Sequence, residues 1–279
     1  MNTLYYFLKL IRINNIIIAS LVVLLSAYLL PSYNNIATMQ SILIVALTMA
    51  FGYTMNDLND LKSDIINHPN RALVNQHISI PLAQLFCCFC LVGAIVLTYY
   101  INFQSKIIYY FCIVPLLILY NKHFKKLPLI GNIIVSLLLG ITFIFTELVL
   151  MSSTKNLLVP AILAFNLSLI REILKDLHDY SGDLKVSMNT LPILIGIKKT
   201  CNFLIIYIFL CCIGFLLPFY LKIYSYKYLI SLIFLIEIPL IYSLLLLSRS
   251  QTIKTFKKMI FLYKLLIIFG LFVILSTKF

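Results

Sequence analysis

The sequence predicts an all-α integral membrane protein: a bundle of about nine transmembrane helices, N-terminus inside and C-terminus outside, with a functional cavity on the cytoplasmic side. Three observations predict it. Of 279 residues 62% are hydrophobic and only 11% charged, with mean hydropathy +1.03, a composition foreign to soluble globular domains. Apolar runs near the ~20 residues needed to cross the hydrocarbon fill nearly the whole chain. Lys and Arg fall unevenly between alternate loops, as topology signals do.

Polar interruptions divide the chain into spans at 13–31, 36–55, 80–101, 107–121, 129–150, 157–174, 202–221, 226–248 and 259–277. The fourth is the shortest. The first is not a cleaved signal peptide, because Pro31-Ser32-Tyr33 lacks the small residues of a cleavage site and hydrophobic spans continue beyond it. Residues 1–279 therefore form one polytopic membrane domain.

With the N-terminus inside, sixteen cations fall on the cytoplasmic side: Lys9, Arg12, Lys62, Arg71, Lys122, Lys125, Lys126, Arg171, Lys175, Lys185, Lys198, Lys199, Arg249, Lys254, Lys257 and Lys258. Five fall on the other: Lys106, Lys155, Lys222, Lys227 and Lys278. The net charge of +13 is thus a topology signal and an attraction to anionic lipid headgroups. It does not imply nucleic acid, which needs a soluble basic face. The seven cysteines lie in or beside apolar spans without neighbouring His or acids, and read as small buried hydrophobes.

Seven of the nine acids sit in two windows: Asp57, Asp60 and Asp64, then Glu172, Asp176, Asp179 and Asp183. The Asp intervals are identical in the two, three residues and then four, and each first Asp is followed by Leu (Leu58, Leu177). This is a weak internal repeat of the kind found in membrane folds. On a helix such intervals return to one face, so each motif can present three carboxylates to one point. Both motifs begin at cytoplasmic ends of spans, on the same side of the membrane.

On an open helix surface such a cluster is a solvated face costing only about 0.2–0.5 kcal/mol per pair. For charges near ~6 Å at a membrane edge with an effective dielectric of about 20 the repulsion is about 3 kcal/mol per pair, which a divalent cation removes. Carboxylates and the Asn56 amide are hard oxygen donors, favouring Mg²⁺ or Mn²⁺ over zinc. Mg²⁺ commonly completes its shell with substrate phosphates, so the site calls for a phosphorylated substrate. His178 reads as a solvent or headgroup contact off the carboxylate face.

The stretch Asn56-Asp57-Leu58-Asn59-Asp60-Leu61-Lys62-Ser63-Asp64, with Asn67-His68-Pro69-Asn70-Arg71 after it, resembles the first signature of UbiA-type intramembrane prenyltransferases. Arg171-Glu172-Ile173-Leu174-Lys175-Asp176-Leu177-His178-Asp179, with Gly182-Asp183 and Thr190-Leu191-Pro192, resembles the second. Arg12, Asn14, Tyr120, Lys122, Gly131 and Asn132 are weaker echoes. Within the superfamily the second motif is most similar to the geranylgeranylglyceryl phosphate geranylgeranyltransferase branch. Ala72, the stretch Val74-Asn75-Gln76-His77 and Asn189 depart from the usual pattern.

The resemblance implies a magnesium-dependent enzyme of isoprenoid lipid biosynthesis in a bacterial or archaeal cell membrane. It would transfer a prenyl group, geranylgeranyl by the branch, from its pyrophosphate to a hydrophobic acceptor such as geranylgeranylglyceryl phosphate. Asp57, Asp60, Asp64, Asp176, Asp179 and Asp183 would hold Mg²⁺, with Asp60, Asp64 and Asp179 catalytic. Asn14, Asn56, Arg71, Tyr120, Lys122 and Lys175 would bind substrate. An aromatic or quinone-precursor acceptor is an alternative by the same mechanism. An ion-coupled transporter is the alternative from another class, although carrier acids belong near the midplane. Glu147 and Glu237 lie outside both windows, and intramembrane acids are functional candidates.

Overall fold

The computed structural model describes residues 3–61, 64–65, 69–185 and 188–277; Lys62 and Lys278 of the topology count, and Lys62, Ser63, Asn67 and His68 of the first motif, lie outside them. Among the described residues every regular element is helical, as it must be where lipid offers backbone groups no partner. The elements are α1 (Thr3–Leu10), α2 (Ile13–Leu29), α3 (Asn35–Asn59), α4 (Ile80–Thr98), α5 (Phe103–Lys122), α6 (Ile130–Met151), α7 (Leu158–Lys185), α8 (Leu191–Ile195), α9 (Ile197–Tyr220), α10 (Tyr226–Arg249) and α11 (Ile253–Leu275).

Seven of the described helices, α3 to α6 and α9 to α11, are long and apolar enough to cross a membrane alone. The pair α1–α2, bent by 62°, makes an eighth if taken as one span. The sixth predicted span lies on α7, which is 28 residues long and runs past the predicted end at 174 to carry the whole second acidic motif. The short fourth span gains its first turn at Asn102, whose Oδ1 accepts from Ser105 N at 2.9 Å while its Nδ2 donates to Val149 O at 3.2 Å. Large apolar side chains such as Phe111 (82% exposed) and Phe234 (67%) face outward, where lipid tails cover them.

The chain forms two compact units. One comprises Met1–Phe124 and Ile141–Leu157, the other Lys125–Gly140 and Leu158–Phe279. In the first, α3 packs on α2, α4 and α5. The approach of α5 depends on Gly52, where a Cβ would stand 2.9 Å from Leu117 Cδ1. Inside it the Thr48 and Tyr109 hydroxyls pair at 3.0 Å, a helix-to-helix hydrogen bond of the kind that joins membrane helices. In the second unit α7 packs on α9 and α11. Gly140 of α6 lies so close to α7 that a Cβ would meet Ala161 O at 3.0 Å. Tyr207 OH donates to Asn166 Oδ1 at 2.6 Å, and the Ser243 and Tyr263 hydroxyls pair at 2.9 Å.

A second echo between the halves emerges here. Helices α5 and α10 each contain one five-residue π-helical turn, Tyr109–Ile113 and Ile233–Glu237, and in each a proline follows two residues later, Pro115 and Pro239. Proline cannot donate to the preceding turn, and the widened turn accommodates the gap.

Candidate active site

In the first motif α3 stops at Asn59, with Asp60 as its cap and the Asp60 N–H bonded to Asn56 O at 2.9 Å. The expectation of three carboxylates on one unbroken helix face is therefore corrected: Asp60 breaks the helix, and Asp64 follows on a new turn in which its N–H bonds to Asp60 O at 2.9 Å. A basic side chain restores convergence. Arg71 Nη1 donates to Asp57 Oδ1 at 3.1 Å and also to Asp64 Oδ2. Arg12 Nη2 reaches the same Asp57 oxygen at 3.0 Å. Asp57 and Asp64 are each only 4% exposed. Burial pushes the Asp64 carboxyl up from its ordinary value, and Arg71 opposes the shift.

Local structure fixes both arginines. Arg12 sits at the α1–α2 bend in the left-handed region, φ 52°, with its guanidinium carbon 4.6 Å from the Tyr53 ring centroid. Such a backbone for a non-glycine residue persists only where its surroundings impose it. The segment carrying Arg71 rests on α1: Lys9 Nζ donates to Asn70 O at 2.7 Å, the His77 ring stacks on Tyr6 at 3.8 Å, and Ala72, Leu73 and Ile78 pack with Tyr6 and Leu10.

The predicted substrate residues of this unit divide. Asn56 is buried, its Nδ2 3.5 Å from Asp57 Oδ1. Tyr120 is half-buried, and Lys122 is exposed at the end of α5. Asn14 is exposed, whereas Asn15 turns inward and donates to Tyr53 OH at 3.1 Å. Arg12, noticed in the sequence only as an echo, is the residue that composition and spacing missed. Its ion pair spans 45 positions, and no local signal announces it.

The second motif keeps its helix. Helix α7 is continuous through Asp183, so Asp176, Asp179 and Asp183 do share a face. Asn132 Nδ2 donates to Asp176 Oδ2 at 2.9 Å. Burial nevertheless pushes the Asp176 carboxyl up to about 7, the Asn132 bond only partly offsetting it. Asp183 is pushed up to about 6 by burial and by the charge of Asp179, with Lys125 pulling the other way. Lys175 Nζ bonds Glu172 Oε1 at 2.6 Å, and Arg171 Nη1 bonds the same oxygen at 2.9 Å. His178 stays partly exposed, as a solvent contact would be, and its Nδ1 also lies 2.7 Å from Asp179 Oδ1.

These residues fit a hard divalent cation. The motif donors are oxygens, and the buried pair Asp57 and Asp64 already has its charge balanced by cationic side chains. Among the described residues no three His, Cys, Asp or Glu side chains stand in a metal-holding group.

The two outlying acids are different in kind. Glu147, which the sequence left as a functional candidate, is fully buried and saturated: Oε1 accepts from Asn156 N and Nδ2, both at 2.8 Å, and from Ser153 Oγ at 3.2 Å, while Oε2 accepts from Leu157 N at 2.8 Å. It clamps the loop after α6. Glu237 closes the π turn of α10, 7% exposed, with Oε1 lacking a hydrogen-bond partner. An open apolar groove of about 610 Å³, lined by Leu47, Leu85, Phe89, Val92 and Val96, contains no motif residue.

Known proteins agree with this architecture. The sequence model of the UbiA prenyltransferase family matches residues 15–265. Digeranylgeranylglyceryl phosphate synthase of Methanosphaera stadtmanae is 33% identical over 255 residues, 90% of this chain and 91% of the relative. The synthase of the same name from Methanocaldococcus jannaschii is 34% identical over 265 residues, 92% and 90% of the two chains. A solved structure of digeranylgeranylglyceryl phosphate synthase superposes with TM-score 0.77 at 31% identity over 100% of both chains. A UbiA homologue from Archaeoglobus fulgidus, bound to DMAPP and Mg²⁺, shares the fold with TM-score 0.71 at 19% identity, covering 96% and 98%.

Proposed function

Because the chain belongs to the UbiA prenyltransferase family, we propose that it transfers a geranylgeranyl group from its pyrophosphate to geranylgeranylglyceryl phosphate. The observation that carries this reading is the buried pair Asp57 and Asp64 held by Arg71, joined to the name shared by relatives that match the chain over about nine-tenths of its length. The 279 residues act as one prenyltransferase domain with the N-terminus in the cytoplasm. The site is loaded from that side, in the cell membrane of a bacterium or archaeon.

Asp57, Asp60 and Asp64 of one motif, and Asp176, Asp179 and Asp183 of the other, bind Mg²⁺, with Mn²⁺ able to replace it. When bound, the metal would supply positive charge to the pyrophosphate. Arg71 turns from its carboxylates toward the pyrophosphate and binds it as a planar cationic fork. Lys122, exposed at the end of α5, and Lys175 are further substrate-binding cations. Asn14, Asn56 and Tyr120 orient the substrates. The acceptor hydroxyl forms the new C–O bond, its proton leaves to solvent or pyrophosphate, and apolar helix walls keep water from the allylic carbon.

The test is a membrane assay with labelled geranylgeranyl pyrophosphate, Mg²⁺ and geranylgeranylglyceryl phosphate. Labelled digeranylgeranylglyceryl phosphate is the expected product. Label appearing only in an aromatic acceptor would replace the proposed acceptor and keep the mechanism. Solute uptake by proteoliposomes lacking Mg²⁺ and prenyl donor would overturn the enzyme reading.

A further inference from the structure

In the second unit three helix ends carry a group of cations that the prenyl-transfer reading does not use. Lys198 and Lys199 open α9, Arg249 closes α10, and Lys254, Lys257 and Lys258 occupy the first turns of α11. Helix α10 packs against both α9 and α11, and only residues 250–252 separate α10 from α11. All six cations are exposed. From residue 184 to the C-terminus the sequence contains a single acid, Glu237, and it is buried far along α10. Among the described residues none of the six takes part in an ion pair, although α7, which packs on α9 and α11, carries acids of its own. Neither α9 nor α11 has an acid in its first turn, so the partial positive charge of the two N-termini adds to the side chains.

Their level along the helices selects the partner. Helices α9, α10 and α11 are each long and apolar enough to cross the membrane, and the cations sit at their ends, where lipid headgroups lie. Lys258 Nζ bonds Tyr242 OH at 2.5 Å and stands 5.1 Å over that ring. Tyrosine with lysine is the pairing that anchors helices at the interface. Beside the cations Leu194, Leu245 and Ile253 are exposed, at 66%, 50% and 57%. A free phosphate would use only the charges. An amphiphile uses both the charges and the apolar side chains.

We propose that this surface binds the headgroups of anionic membrane lipids, with Lys198, Lys199, Arg249, Lys254, Lys257 and Lys258 holding the phosphates and Leu194, Leu245 and Ile253 the upper part of the chains. It is built from residues other than those of the acidic motifs, and it stands whichever acceptor the enzyme uses.

The experiment is native mass spectrometry of the full chain released from nanodiscs of equal phosphatidylglycerol and phosphatidylcholine. The expected result is selective retention of phosphatidylglycerol. Lys254→Gln/Lys257→Gln/Lys258→Gln with Lys198→Gln/Lys199→Gln should reduce it at least about tenfold, leaving phosphatidylcholine retention unchanged. The five Lys→Arg replacements should preserve it. Removing Lys106, Lys155 and Lys222, which lie outside the patch, should leave it intact. If the five-site variant inserts poorly, the same loss in part is expected of Lys198→Gln/Lys199→Gln alone. Equal retention of the two lipids by the wild-type protein, undiminished phosphatidylglycerol in the Gln variants, an equal loss on removing the distant lysines, or displacement by inorganic phosphate alone would each overturn the proposal.

Discussion

Arg71 Nη1 donates to Asp57 Oδ1 at 3.1 Å across 14 positions of chain, so a residue of the segment after the motif neutralises a carboxylate at the end of α3. Arg71 pairs with two of the carboxylates proposed to hold Mg²⁺, so the guanidinium and the cation would compete for them. Arg71→Gln therefore has two opposite effects. The KM for the prenyl pyrophosphate should rise about tenfold or more, as expected for a lost charge-assisted contact. Mg²⁺ binding without substrate, measured by titration calorimetry, should tighten because its competitor is gone. A variant unchanged in both would remove Arg71 from the site.

Asp60 and Asp179 occupy matching positions of the repeat. Asp60→Ala and Asp179→Ala should each lower prenyl transfer by roughly a thousandfold or more, the scale of losing a principal electrostatic contributor. Membrane insertion and monodispersity in detergent should stay as in the wild type. Chelation by EDTA should stop turnover and added Mg²⁺ restore it. Full activity in either variant, or after thorough chelation, would end the two-motif mechanism.

Metal binding should depend on pH with a definite sign. Asp176 is pushed up to about 7 and Asp183 to about 6, so below these values a proton holds each oxygen that the cation needs. Apparent Mg²⁺ affinity should weaken as pH falls from about 8 to about 6, by up to roughly tenfold per pH unit for each proton displaced. Asn132→Ala removes the hydrogen bond that lowers the Asp176 value, so it should move the midpoint to higher pH. Titration calorimetry in two buffers of different ionisation enthalpy measures the protons released. Affinity that is flat with pH would contradict the assignment.

Glu147 makes a prediction about stability alone. Glu147→Ala leaves the buried donor Leu157 N without a partner, at about 1–3 kcal/mol, and also removes the bonds to the exposed Asn156. Thermal unfolding in detergent should fall by several degrees, with Glu147→Gln intermediate. Prenyl transfer per folded molecule should be unchanged, and a selective loss of turnover would restore Glu147 as a functional acid.

Much of the fold was legible because membrane insertion is itself a local property. A run of apolar residues declares a helix whatever lies beside it, and α4, α9 and α10 fall close to the spans marked at 80–101, 202–221 and 226–248. Helix ends within charged segments were less legible. Helix α7 continues to Lys185 because its acidic motif is itself amphipathic on a helix, with Ile173, Leu174 and Leu177 buried, and hydropathy cannot see that.

The sequence by itself determined the class of protein, the two acidic motifs with their shared spacing, and the family they resemble, since composition and interval are written along the chain. Only the tertiary structure decided what surrounds each carboxylate. It ended α3 at Asn59, paired Asp57 with both Arg12 and Arg71, set Asn132 on Asp176, and turned Glu147 into a loop clamp. The physical reason is reach. The pairings of Asp57 with Arg12 and of Asp176 with Asn132 join residues 45 and 44 positions apart, and no local pattern encodes a contact that exists only after the helices have packed.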